Sequence, residues 1–242
     1  MERQFEKFEN KIIKLRDGKL NKENILNQDF LLNKNGNMKI YYAPHNEYTN
    51  VNAKVVIVGI CPGWTQTELA YQQAKFDLGN SIDTNTILKN CKKKARFAGS
   101  MRNNLINMLD ELKLPQKLNT NSTSELFEDN EIMHTTSLIP YPVFINGKNY
   151  NGHTPLIMES KFLMQYVRNH FFKEIINIDK PLIIPLGKAV EDILNIMIKE
   201  NIVSKNQCLF GFPHPSGANG HRKEQFIKNK EELIILIDNY FR

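Results

Sequence analysis

The chain is predicted to be an α/β protein: a three-layer α/β/α architecture around a central, mostly parallel four-stranded sheet. Three observations predict it. Apolar, β-branched runs at 54–59 and 181–186 each stop at a glycine, and the second leads directly into a helical pattern. Helical periodicity recurs between these runs, at 102–114 and 156–176. Strands that alternate with helices pair in parallel through right-handed crossovers, and ligands of such sheets bind at the strands' carboxyl ends.

Taken in order, residues 1–40 are expected to form a helical extension. Its first part, MERQFEKFENKIIKLRDGK, sets Phe5, Phe8, Ile12, Ile13 and Leu15 on or near one face and is too charged for a secretory signal. Lys54–Gly59 is the first strand, cut off by Gly-Ile-Cys-Pro-Gly. Residues 102–114 place Leu105, Ile106, Met108, Leu109 and Leu112 at helical spacing. Residues 131–139 read as a second strand running into the Pro140–Pro142 turn, and 156–176 as a long helix. Pro181–Leu186 is the third strand, with a helix opening directly after it. Gln207–Phe210 is a short fourth strand feeding the turn PHPSG, and 222–241 close the chain as a helix. One domain over 1–242 is the simplest division for this length.

Composition excludes several classes. Three cysteines, Cys61, Cys91 and Cys208, with no C-x-x-C pair, argue against a disulfide framework and against a zinc or iron–sulfur site. The six histidines show no metal spacing, so no metal and no cofactor is expected. No apolar run is long enough to cross a bilayer, so a cytoplasmic protein without a membrane or obligate protein partner is expected. Lys and Arg exceed Asp and Glu by six. Such a surface suits a polyanion, since phosphate contacts release counterions, but a Lys-, Asn- and Ile-rich composition would produce the same excess.

Two short motifs carry chemistry. In Gly59-Ile60-Cys61-Pro62-Gly63 the glycines let the backbone turn and approach a ligand, and Pro62 stiffens the turn. In Pro213-His214-Pro215-Ser216-Gly217 two prolines fix the backbone around one histidine and hence the aim of its ring. Both motifs fall at the carboxyl ends of expected strands.

Together, in this order, the motifs resemble the two active-site loops of the uracil-DNA glycosylase superfamily: GQDPY, GINPG or GEAPG for the first, HPSP or NPSG for the second. The resemblance covers residues 40–240, and PLIIPLGKAV is similar to the family's apolar strand followed by LGK or LGR. It implies that Gly59, Ile60, Pro62 and Gly63 line a base pocket and that His214 donates a hydrogen bond to the departing base anion. Residues 96–109 resemble the PFVGRAG stretch, which makes Phe97 the ring that stacks on the base. The basic cluster before it, KKKARF, is expected to stay exposed. HTTSLIPYP resembles the TNLV or TNVV segment, whose Asn reads the base edge. Ser137 falls on that Asn in one register and Thr136 in another. Ser216, Gly217, Asn219, His221 and Arg222 occupy the place of the loop that fills the hole left by a flipped nucleotide, with Arg222 a phosphate contact.

Two departures stand out. Cys61 replaces the Asp or Asn that positions the attacking water. It is either a thiolate activated by its surroundings or a residue that fills a small pocket, in which case backbone carbonyls or a carboxylate, Glu68 or Asp77, could hold the water. The base reader has lost its amide, which weakens any preference for uracil. Polar residues at 143–153 stand ready to read an enlarged base, or form an ordinary Asn-Gly turn. The resemblance therefore implies a monofunctional DNA glycosylase that flips a base, cuts it from its sugar and leaves an abasic site. A modified base is favoured, glucosylated hydroxymethylcytosine of phage DNA being the specific reading. Repair of uracil or deaminated bases, and an inactive modified-DNA-binding module, are the alternatives.

Overall fold

The computed structural model describes residues 3–129 and 131–242, with Asp129 described by its backbone alone. Met1 and Glu2 of the expected extension, and Asn130, lie outside the described residues. The elements in chain order are α1 (Phe5–Ile13), α2 (Lys22–Ile25), β1 (Leu31–Asn35), β2 (Met38–Tyr41), β3 (Val55–Gly59), α3 (Trp64–Gly79) and α4 (Thr84–Ala95). Then follow α5 (Ser100–Glu111), α6 (Leu114–Lys117), α7 (Thr123–Asp129), β4 (Met133–Ser137), β5 (Val143–Ile145), β6 (Lys148–Asn149) and α8 (Lys161–Tyr166). A π-helical segment, Val167–Phe172, leads into α9 (Lys173–Ile176), β7 (Leu182–Pro185), α10 (Lys188–Lys199) and α11 (Arg222–Tyr240). No helix among the described residues is long and apolar enough to cross a membrane.

The chain forms two compact, interleaved units. One comprises residues 50–60, 99–136 and 172–242. Its sheet has the order β4-β3-β7, and β3 pairs with β7 in parallel from Val55↔Leu182 to Val58↔Pro185. Every residue of β3 and β7 is buried, as expected for parallel strands covered on both faces. The mixed α/β class with a parallel sheet is as the sequence predicts, but the sheet has three strands, not four. The expected strand at 207–210 shrinks to one parallel bridge, Ile183↔Cys208. Its neighbours explain the loss. Lys205–Gln207 form a 3-10 turn capped by Ser204, the amide of Phe210 bonds back to the carbonyl of Cys208, and Gly211 at φ +90° turns the chain away.

The other unit comprises residues 3–49, 61–98 and 137–171 among those described. It holds an antiparallel sheet in the order β1-β2-β5-β6, which the sequence reading did not place. The extension is therefore not helical alone: α1 and α2 are followed by the β1–β2 hairpin, and β2 pairs with β5 from Met38↔Ile145 to Ile40↔Val143. Asn146 and Gly147, both with positive φ, turn β5 into β6. An aromatic core joins the extension to α3. Phe8 stacks on Tyr42 at 4.1 Å, Phe30 meets Tyr71 edge-on at 5.0 Å, and the Tyr71 hydroxyl donates to the Tyr42 carbonyl. On α1, Phe5, Phe8 and Ile12 are buried, whereas Ile13 is exposed because it leaves the apolar stripe.

Candidate functional site

The parallel pairing brings the carboxyl ends of β3 and β7 to one rim. The amide of Leu186 donates to the carbonyl of Val58 at 2.9 Å, so Gly59 and Gly187 leave the sheet side by side. Gly187 then makes room for the second motif. It sits at φ +88°, and a Cβ added there would stand 3.2 Å from the Cβ of His214. His214 is thus packed against the glycine that ends β7.

The His214 loop is held by its own polar groups. The amide of Ser216 donates to His214 Nδ1 at 3.2 Å. A ring nitrogen that accepts a hydrogen bond carries no proton, so the neutral ring bears its N–H on Nε2. The Ser216 hydroxyl accepts from the Ala218 amide, and Asn219 donates through Nδ2 to the His214 carbonyl at 3.2 Å. The Arg222 guanidinium donates from Nη1 to the carbonyls of Ser216 at 2.9 Å and Pro215 at 3.3 Å. Asn104 of α5 donates to the same Pro215 carbonyl at 2.9 Å. Gly217 and His221 are exposed. These residues, with Gly59, Ile60 and Thr136, lie in the unit built on the parallel sheet.

Thr136 and Ser137 differ in their surroundings. Thr136 Oγ1 donates to Glu174 Oε2 at 2.6 Å, and Glu174 Oε1 lies 2.9 Å from His134 Nε2. The amide of Asn50 donates to His134 Nδ1 at 3.4 Å, so the His134 proton sits on Nε2 and faces the carboxylate. All three side chains are buried. Thr136 is thereby engaged inside the protein, and Ser137 is the next residue of the strand.

The first motif continues into the other unit, where Cys61, Pro62, Gly63, Glu68, Phe97 and Ser137 lie. The Cys61 thiol donates to the carbonyl of Tyr150 at 3.6 Å. Burial pushes the thiol up to about 12, so it stays protonated at neutral pH and cannot serve as a base. The amide of Trp64, first residue of α3, donates to Asn149 Oδ1 at 3.3 Å. The polar 143–151 segment is therefore a hairpin set directly against this loop. Glu68, half-buried one turn into α3, accepts from Gln72 at 3.4 Å. Asp77 is buried and tied to Gln73 and Asn90, a link between α3 and α4.

The segment 64–95 forms α3 and α4 packed on each other. Phe97 follows at φ +48° and is buried. A left-handed backbone is unusual for a bulky residue and points to a constrained position. The cluster before it is not wholly exposed. Lys93 and Lys94 face solvent, but Lys92 and Arg96 are buried, and Lys92 Nζ donates to Asn46 Oδ1 at 2.8 Å. A helix with one face against the core must bury every third or fourth residue, and here that face takes two cations.

Fold and site define an α/β protein whose parallel strands deliver a Gly-x-x-Pro-Gly loop and a proline-locked histidine at their carboxyl ends. The Uracil DNA glycosylase superfamily matches residues 46–237, and the chain belongs to that superfamily. It is 45% identical over 216 residues to the uncharacterized protein YoxB of Bacillus subtilis (strain 168), a match covering 88% of this chain and 84% of YoxB. Among solved structures it is similar to wild-type Pedobacter heparinus SMUG2, with a TM-score of 0.48 and 13% identity, covering 96% of this chain and 98% of that one.

Proposed function

We propose that the protein is a monofunctional DNA glycosylase acting on a modified base. The observation that carries this reading is His214. Its Nδ1 accepts from Ser216, so Nε2 is the donor, and the ring lies at the strand ends where ligands of parallel sheets bind. In this mechanism a nucleotide is rotated out of DNA. As the glycosidic bond breaks through an oxocarbenium-like state, charge grows on the base and the His214 Nε2–H stabilises it. Water adds to C1′ and an abasic site remains. No lysine in either motif offers Schiff-base chemistry. The family match runs through segments of both compact units, which supports treating residues 46–237 together.

Three features favour a modified base over uracil. By the family resemblance Ser137, or in another register Thr136, replaces the Asn that reads the base edge; Thr136 is engaged by Glu174, and the β5–β6 hairpin sets Asn149 and Tyr150 against the first loop. Glucosylated hydroxymethylcytosine of phage DNA is the specific substrate we propose, which would make the protein an antiviral enzyme. DNAs carrying uracil, hypoxanthine, hydroxymethylcytosine or its glucosylated form would be incubated with the protein and probed for alkali-labile sites. Cleavage at the glucosylated base is expected; cleavage at uracil alone rejects the modified-base reading. The protonated Cys61 favours one rival, a module that binds modified DNA without cutting it. That rival requires retention of the modified DNA with no base released, and the same binding by His214→Ala.

A further inference from the structure

We propose that Asn104 and Arg222 are positioning residues for His214. They form a carbonyl clamp that sets the tautomer and aim of its ring. Its effect on turnover rests on the glycosylase reading above; its effect on the ring does not.

The argument starts from the two prolines. Pro213 and Pro215 fix their own φ, and Pro215 restricts His214 to extended backbone. Neither proline has an N–H, and neither fixes the direction of the carbonyls that follow. In this loop no strand or helix ladder receives those carbonyls; side chains do, with the Asn219 amide a second donor to the Ser216 carbonyl at 3.1 Å. The His214 carbonyl accepts from Asn219, the Pro215 carbonyl from Asn104 and Arg222, and the Ser216 carbonyl from Arg222. One of these bonds matters most. The Pro215 carbonyl and the Ser216 amide belong to a single planar peptide group. Holding the oxygen on Asn104 and Arg222 therefore aims the N–H, and that N–H is the one donated to His214 Nδ1 at 3.2 Å. If the plane rotates, Nδ1 loses its donor and the ring is free to place its proton there instead. Gly187 supports the ring from the side, because a methyl there would meet His214 Cβ.

This assigns Arg222 a task other than the phosphate contact expected from its position. The two tasks separate experimentally. Arg222→Lys keeps the charge that a phosphate needs but loses the rigid planar fork that spans two carbonyls. Asn104→Asp keeps shape while turning a donor into an acceptor that faces a carbonyl. Nitrogen-15 NMR of the ligand-free full chain, with His214→Ala to assign the ring, reads the tautomer without substrate. A single Nε2–H form is expected in the wild type, and an Nδ1–H fraction in both variants. On whichever modified DNA the wild type cleaves, each variant is expected to lose about tenfold or more in kcat, with KM and its salt dependence nearly unchanged. A wild-type ring spectrum in both variants overturns the clamp. So does a salt slope that drops by about one in Arg222→Ala with an unaltered ring, the signature of a phosphate contact. A wild type inactive on every DNA would reject the glycosylase reading, while the ring spectrum still decides the clamp.

Discussion

Cys61 shows how one side chain redirects a site. Its thiol donates to the Tyr150 carbonyl and is pushed up to about 12 by burial. Near pH 8 such a thiol is almost wholly protonated, and the thiolate is the reactive form. Iodoacetamide should therefore label Cys61 in the native protein at least about a hundredfold more slowly than an unstructured cysteine with a pKa of about 8.5. Mass spectrometry of timed samples measures this, and labelling at the free rate would show an accessible thiolate. Gly187 makes the opposite kind of demand, for the absence of a side chain. At φ +88°, with His214 Cβ 3.2 Å from any added methyl, Gly187→Ala combines backbone strain with a clash. A loss of about 1–3 kcal/mol is expected, hence a Tm lower by several degrees, together with reduced turnover. An unchanged Tm in a thermal melt would contradict the close approach.

Among the elements, α1 is tethered in a way that couples it to pH. The Glu47 carboxylate accepts from the amides of Gln4 and Phe5 at 3.1 Å and from the Tyr141 hydroxyl at 3.1 Å. Burial outweighs these bonds and raises its carboxyl from 4.5 to about 7. The folded state thus holds the proton more tightly than the unfolded one. Its contribution to stability is full below about pH 4.5, declines as pH rises, and is lost above about pH 7. His45, pushed down to about 3 by burial and by Lys92, works the other way between about pH 3 and 6.5. Subtracting Glu47→Gln from the wild type isolates the first effect. The variant should gain on the wild type by on the order of 3 kcal/mol between pH 4.5 and 7.5 in urea unfolding. A difference that stays constant would refute it. At this scale the sequence was only partly legible. β3 and β7 announce themselves as unbroken apolar runs, and α5, α10 and α11 because burial on a repeating face leaves a periodic mark. β1 reads Leu-Leu-Asn-Lys-Asn and β5 is three residues long, so neither carries a pattern, and the β2–β5 pairing that completes the sheet joins segments far apart in the chain. The prolines made His214 visible. Asn104 left no sign, since a side chain bonded to a carbonyl 111 residues away has no periodicity.

For the whole molecule, the governing fact is that the chain passes between its two compact units five times, after Thr49, Ile60, Ala98, Thr136 and Phe171. Each unit nevertheless has a core of its own. One is the aromatic group of Phe8, Phe30, Tyr42 and Tyr71; the other surrounds the fully buried β3 and β7. Separate cores give separate cooperative openings, while repeated crossings oblige all segments of a unit to open together. Phe8→Ala tests this. The ring is buried and stacked on Tyr42, so its removal should cost about 3–5 kcal/mol. If the aromatic core is an opening unit, amide exchange should accelerate together in α1, β2, α3 and β5, although β5 lies more than a hundred residues from Phe8. Exchange of the β3 and β7 amides should accelerate far less than global unfolding control would require, keeping most of their wild-type protection. Equal loss of protection in all six elements would mean a single cooperative structure, in which the extension before residue 46 is as integral to β3 and β7 as the matched region itself.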